Sequence, residues 1–428
     1  MNSFAGRRGA LLAAAAVLLG GLLLPSRVYS ADALNVELVG HSDLQGRASL
    51  QVVLKGEYAY IGHHRGEAFN PLTGKREDNG TTIVDVASPR TPRILTHIPG
   101  RRGAESRAVQ VAEGLLPGRD FLLRNQEARE FTGFEVWEIT DRTWPRLTAT
   151  IGPFTAAHKS WWDRATGTAY LSASQPGWSG QHLVIYDLSD PTRPRFLANW
   201  GLPEQRPGAP TGRGVSLHHP VVSGNRAYLS YLFGGDVVVL DITDRAAPRM
   251  VSHLRIPSSP GIHTTVPFTI PPAPPIAGGA QGRTVLALSE EAFASDCRES
   301  RRQLYVLDAT QETAPVLLAD FLIPDGDFCT RGGRFGPHQF AETRDGGLIG
   351  GTLLYVAYFN AGLRVVDLAD PHRPREVGYY IPSSSAGKPA PGGAVPQTND
   401  VDLDYRGLIY TTDRSGGGLH ILRHTGRR

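Results

Sequence analysis

Four histidines open short segments that lead into apolar runs: His158 in HKSWWD, His219 in HPVVSG, His263 in HTTVPF and His338 in HQFAE. The segments RASLQVV, RAVQVA and NDVDLD have the same form and begin with Arg47, Arg107 and Asn399. Imidazole is the commonest metal ligand, and an all-nitrogen set suits Cu, Zn, Fe or Ni. The apolar runs that follow end in a second polar set, which includes Tyr231, Glu290, Glu291, Tyr358 and Asp413. Glu291 would complete a His–carboxylate ligand set. Glu290 or Asp413 offers a general base, and Tyr231 or Tyr358 a proton donor. Arg47, Arg107 and Asn399 offer substrate contacts, because guanidinium forks match carboxylate or phosphate. Two other readings use the same residues. The imidazoles could bond carbonyls and line a wet channel, or the site could take an organic anion without a metal.

Such residues converge only if a repeated element brings them to one place. One pattern recurs six times: an apolar strand, an acid, then Pro seven positions later. It reads TTIVDVASPRTPR, FEVWEITDRTWPR, LVIYDLSDPTRPR, VVVLDITDRAAPR, LYVLDATQETAPV and LRVVDLADPHRPR. Self-similarity at this period marks a repeat architecture. The acid ends the strand, because its carboxylate can take backbone N–H groups in the turn. Pro cannot extend the ladder and fixes the turn exit. Another strand follows each unit and two precede it, as in HHPVVSG then RAYLSYL. Four antiparallel strands per repeat make a propeller blade.

A seventh unit, TNDVDLDYRGLIYTTDRSGGGLHILR, supplies three strands, and the N-terminal NVELVGHSDL is the candidate for its fourth. The expectation is an all-β, seven-bladed β-propeller over residues 34–428, with blade seven closed by the N-terminal strand. Six or eight blades are the alternatives. The inner strands would then start in a ring around one mouth. Their first residues are Arg47, Arg107, His158, His219, His263, His338 and Asn399.

These units resemble the LVIVD repeat in the third strand: TIVDV, VIYDL, VVLDI and RVVDL. That resemblance implies a β-propeller of exported bacterial proteins. In architecture and His placement the chain more distantly resembles the selenium-binding protein and methanethiol oxidase propellers, and that resemblance implies axial histidines that bind copper.

Residues 1–33 read as a signal peptide. Arg7 and Arg8 precede the apolar run ALLAAAAVLLGGLLL, and cleavage fits after Ser30 or Ala33. The mature protein is expected to be exported, periplasmic or extracellular, with no membrane insertion after cleavage. Cys297 and Cys329 are the only cysteines; in an oxidising compartment they are expected to pair. With 44 Lys and Arg against 41 Asp and Glu, three of the Arg in the leader, the remainder is close to neutral. That argues against nucleic-acid binding through phosphate charge. The partner expected at the channel mouth is a small molecule or a protein. GxSxG, HExxH, Walker A and EF-hand patterns are absent from the sequence. Two functions fit: a metal-dependent exported oxidoreductase, or a non-enzymatic binding or scaffold propeller that uses its rim loops. The loop CTRGGRFGPH could bend over the mouth, and PFTIPPAPPIAGGAQG reads as an extended surface excursion.

Overall fold

The computed structural model describes residues 31–210, 212–256, 259–270, 282–344, 347–348, 351–383 and 395–426. Most of the Pro-rich excursion and most of the expected leader lie outside these residues. The chain forms a seven-bladed β-propeller of antiparallel sheets. Each sequence repeat ends its third strand at the expected acid, as in Thr81–Asp85, His182–Asp187 and Leu363–Asp367. The carboxylate then accepts the N–H two residues on: Ala87 N to Asp85 at 3.0 Å, Ser189 N to Asp187 at 2.9 Å, Ala369 N to Asp367 at 2.9 Å. The Arg after the Pro returns to the same acid, with Arg195 Nη2 2.7 Å from Asp187 Oδ2. The motif is therefore a self-contained corner joining the third strand to the fourth.

Closure follows the sequence expectation. Val36–Ser42 pairs antiparallel with Gly418–His424 as the fourth strand of blade seven. Just before it, Asp32–Leu34 pairs with Arg375–Ile381 and so ties blade six to the same N-terminal segment. Apolar faces of neighbouring blades pack together; Val266, Ala287 and Val306 of blade five share a core with Tyr355, Val365 and Tyr380 of blade six.

The inner strands carry a repeated irregularity that decides what faces the axis. In blade four, Leu217 pairs with Tyr231 and His219 with the adjacent Ser230, so His218 is an extra residue. In blade seven, Thr398 pairs with Asp413 and Asp400 with Thr412, which leaves Asn399 extra. Blade three places His158 and Lys159 opposite Ser172 alone, and blade one places Leu50 and Gln51 opposite Gly62 alone. Each is a β-bulge, and bulges re-aim side chains. Gly62 also has a packing reason to lack a side chain. A Cβ there would lie 2.4 Å from the carbonyl oxygen of Arg107, so the blade-two chain could not approach.

Buried histidines outside the mouth make stability depend on pH. Burial, with Arg47 adding to it, pushes His97 down to about 3. Burial, with His41 adding to it, does the same to His420. In the unfolded chain both would titrate near 6.5. Their contribution to stability is complete above that value and is lost as pH falls toward about 3, by about 1.4 kcal/mol per pH unit for each group. Burial pushes Asp400 and Asp402 well above the usual carboxyl range, and they act in the opposite sense. The clean measure is therefore a difference. Urea unfolding of His97→Gln should lose less stability than wild type between about pH 6.5 and 4.5. Equal losses would show that His97 does not stay neutral in the fold.

Candidate metal centre

The mouth of the axial channel holds a cavity of about 190 Å³ lined by His158, His218, His263 and His338, with Glu291 and Asn399 beside them. The imidazoles form a continuous arc. Ring centroids lie 4.6 Å apart for His158 and His218, 3.9 Å for His218 and His263, and 4.1 Å for His263 and His338. The arc ends on Phe359, whose ring is 4.8 Å from His338. Phe359 sits at φ 42° in the turn after the second strand of blade six. A non-glycine residue in that conformation stores strain, and such strain concentrates at functional sites.

Hydrogen bonds settle which nitrogen faces the cavity. His218 Nδ1 lies 2.9 Å from the carbonyl oxygen of His263, and His338 Nδ1 faces the carbonyl oxygen of Asn399. A carbonyl only accepts, so both Nδ1 atoms carry the proton and both Nε2 atoms are bare. For His263 the reasoning takes three steps. Gln339 Nε2 donates to Glu342, so Gln339 Oε1 accepts from the Thr264 hydroxyl at 3.1 Å. Thr264 Oγ1 then accepts from His263 Nδ1 at 2.8 Å, which leaves His263 Nε2 bare as well. Burial holds all four imidazoles well below their usual pKa, hence neutral. His218, His263 and His338, bonded through Nδ1 and bare at Nε2, are in the form in which neutral His binds a metal.

Glu291 stands among them. His338 Nε2 is 3.6 Å and His263 Nε2 3.9 Å from its carboxylate, and Arg334 Nη1 donates to it at 2.9 Å. Burial pushes the Glu291 carboxyl up, and the arginines nearby oppose that. One ligand atom each from His218, His263 and Glu291 lie within 4.8 Å of one another.

Two ring positions differ from the sequence expectation. The blade-four bulge turns His218, not His219, into the mouth. His219 points the other way, fully buried, with Nδ1 3.0 Å from Glu342 Oε1. Arg47 is also displaced, and Leu50 and Gln51 line the cavity for blade one. The Arg47 guanidinium is buried against the blade-one insertion, where it donates to Asn79 Oδ1 at 2.7 Å and to the Glu77 carbonyl at 3.1 Å.

At the second-strand ends Glu291 reaches the cavity as expected, and in the other blades the cavity takes the residue one position later. Glu291, Leu232 and Arg414 line it, whereas Glu290, Tyr231 and Asp413 do not. Phe359 meets His338, whereas Tyr358 is buried in the core of blade six. A one-residue slip along a strand moves a side chain to the other face. The displaced residues have structural partners. Glu290 accepts from Gln303 N at 2.8 Å, and Asp413 accepts from Gln397 N and Ser415 N, both at 2.7 Å. The Tyr231 hydroxyl is buried in the core of blades three and four. None of these four reaches the mouth as an acid or base. Lys159, Arg334, Arg414 and Phe293 line the cavity and were not singled out from the sequence. The signal for Arg414 was its place one residue after Asp413.

Cys297 and Cys329 form a disulfide across 32 residues, joining the loop between the second and third strands of blade five to the loop before blade six. The same loop delivers Arg334 and His338. Among the described residues no helix is long and apolar enough to cross a membrane.

Comparison with known proteins agrees with this architecture. The family model for the LVIVD repeat matches residues 46–67, 221–255 and 348–381. A comparison with curated protein sequences finds no match. Among solved structures, the hypothetical selenium-binding protein of Sulfolobus tokodaii is 12% identical with a TM-score of 0.56, over 87% of this chain and 92% of that one. A protein from Lactobacillus plantarum is 13% identical with a TM-score of 0.52, over 93% of this chain and 96% of that one. The WD40 repeats of RRP9 are 10% identical with a TM-score of 0.55, over 93% and 100%. At such identities the likeness is one of fold. The chain is a seven-bladed β-propeller that contains LVIVD repeats.

Proposed function

We propose that the mouth binds one transition metal, Cu, Zn or Fe, through His218, His263 and His338 with Glu291, and that His158 joins them. The observation that carries this reading is the pair His158–His218, whose Nε2 atoms face each other at 2.8 Å. His218 Nε2 is bare. A proton on His158 Nε2 joins the rings but leaves a bare Nδ1 3.5 Å from the Glu127 carboxylate. A proton on Nδ1 instead sets two lone pairs against each other. A cation held by both Nε2 atoms removes the conflict. Three further acceptors, two bare imidazole nitrogens and Glu291, favour the same charge.

A bound metal would supply Lewis-acid or redox chemistry. The chain's own groups do the rest. Backbone carbonyls and Thr264 hold His218, His263 and His338 in one tautomer, and Arg334 aims Glu291. We further propose that the protein is exported and acts as a metal-dependent enzyme, an oxidoreductase in the reading carried from the sequence. The disulfide supports an oxidising compartment. Cleavage after Ser30 would leave the strand Asp32–Leu34 whole, whereas cleavage after Ala33 would remove most of it.

Metal analysis of protein purified without an affinity tag tests the reading. The expected result is about one equivalent of a single metal per chain. Retention of less than about 0.1 equivalent after reconstitution with Cu, Zn, Fe and Ni in turn would overturn it.

A further inference from the structure

We propose that Arg107 and Arg414 bind a small organic oxyanion at the mouth, with its apolar body against Phe293 and Leu232. The inference concerns a different ligand from the metal and does not require one.

The charge balance of the cavity motivates it. Four cationic side chains line the space, Arg107, Lys159, Arg334 and Arg414, against one carboxylate, Glu291. Arg334 is committed to Glu291 and to the Ala292 carbonyl, at 2.9 and 3.3 Å. Lys159 Nζ lies deeper, 3.9 Å from Asp400. Arg107 pairs with Glu105 and, at 3.5 Å, with Glu127. Arg414 differs from these three. Among the described residues its guanidinium has no hydrogen-bond acceptor and no ion pair; it lies 5.8 Å over the ring of Phe359. Burial, then Arg334 and Arg107, push it down to about 10, with Glu291 opposing. A guanidinium held among others in a low-dielectric cleft focuses a field suited to an anion. Its planar fork matches a two-oxygen head group.

The walls set the rest of the ligand. Phe293 and Leu232 form an apolar side to the same cavity. Its volume of about 190 Å³ suits a small molecule. An aryl or short alkyl carboxylate, sulfonate or phosphonate has this shape and charge.

Calorimetry with benzoate, phenylphosphonate and neutral benzamide tests the inference on both metal-stripped and metal-loaded protein. At least one oxyanion should bind once per chain in both forms, and benzamide should bind at least about tenfold more weakly. The preferred oxyanion tells carboxylate from phosphonate recognition. Arg414→Gln should weaken oxyanion binding by about tenfold or more while thermal stability stays the same or rises, because a half-buried cation without a counter-ion is removed. If Arg414→Gln fails to fold, the benzoate–benzamide ratio on wild type decides. Equal binding of benzoate and benzamide, or no oxyanion binding to either form, would overturn the proposal. Binding to metal-loaded protein alone would also overturn it, because the anion would then be a metal ligand and not a partner of the arginines. Failure of the protein to take up a metal, with oxyanion binding intact, would refute the metal reading and leave this one standing.

Discussion

A chain shortened to begin at Asp43 is expected to aggregate or to lose cooperative unfolding. The missing segment contains Val36–Ser42, which pairs with Gly418–His424 in six register positions. Without it the last strand of the chain becomes an unpaired edge, a template for association with other chains. The buried side chains of Val36 and Ser42 would also be lost from the closing seam. At about 1 kcal/mol net for each ladder hydrogen bond, before any apolar burial, the loss is comparable with the whole stability of a typical domain, about 5–15 kcal/mol. Size-exclusion chromatography and thermal unfolding read the outcome. A synthetic VELVGHS peptide added in trans should restore part of the lost stability. A monomeric shortened chain that melts like wild type would show that blade seven does not need this strand.

His218→Ala and His219→Ala are expected to separate metal content from stability. Loss of His218 removes a bare Nε2 from the centre of the imidazole arc. Metal affinity should fall by about a hundredfold or more, since even the outer partners of metal ligands are commonly worth 10–100-fold. The fold should persist, because the bulge residue is not part of a blade core. His219→Ala should do the reverse. It removes one of the partners of the buried Glu342 carboxylate, which lies beside Asp400 and Asp402, a change worth about 1–3 kcal/mol, while metal content stays near wild type. His219 and Lys159 hold Glu342 below the usual carboxyl range against the effect of burial, so their loss is felt there first. Metal analysis and urea unfolding on the same two preparations provide the test. If His219→Ala loses the metal and His218→Ala keeps it, the assigned register of blade four is wrong.

The architecture was legible because it is written in local chemistry. An acid and a Pro at a constant offset define a corner whose hydrogen bonds close within a few residues. The six third strands therefore end where the pattern places them, and the strand deficit of blade seven pointed to its N-terminal closure. The pairing of Cys297 with Cys329 followed from there being no other partner. The site was legible only to within one residue. His158, His263, His338, Asn399, Arg107 and Glu291 reach the mouth, but His219 gives way to His218 and Glu290, Asp413, Tyr231 and Tyr358 give way to their successors. A period of two offers no tolerance for such a slip, and a bulge leaves no mark in composition. The adjacent pair His218-His219 could have been read either way. Arg47 failed for another reason: the insertion Glu67–Asp78 folds back over blade one and captures its guanidinium, a tertiary event that spacing cannot reveal.

The recurring bulge has a consequence for rewriting this protein. In an ordinary strand a side chain cannot be chosen without regard to the sheet, because its neighbours two residues away share its face. A bulged residue stands outside that alternation, since the partner strand supplies no residue opposite it. At His218 and Asn399 the side chain is thus attached to the propeller yet excused from building it. The axial ring behaves as a set of sockets on a fixed frame, whose occupants can be exchanged individually while the corners, ladders and inter-blade cores stay as they are. For an engineer the mouth is the editable part of the molecule. Blade four and blade seven are the places to begin, with Asn399→His as the simplest way to extend the imidazole arc by one more position.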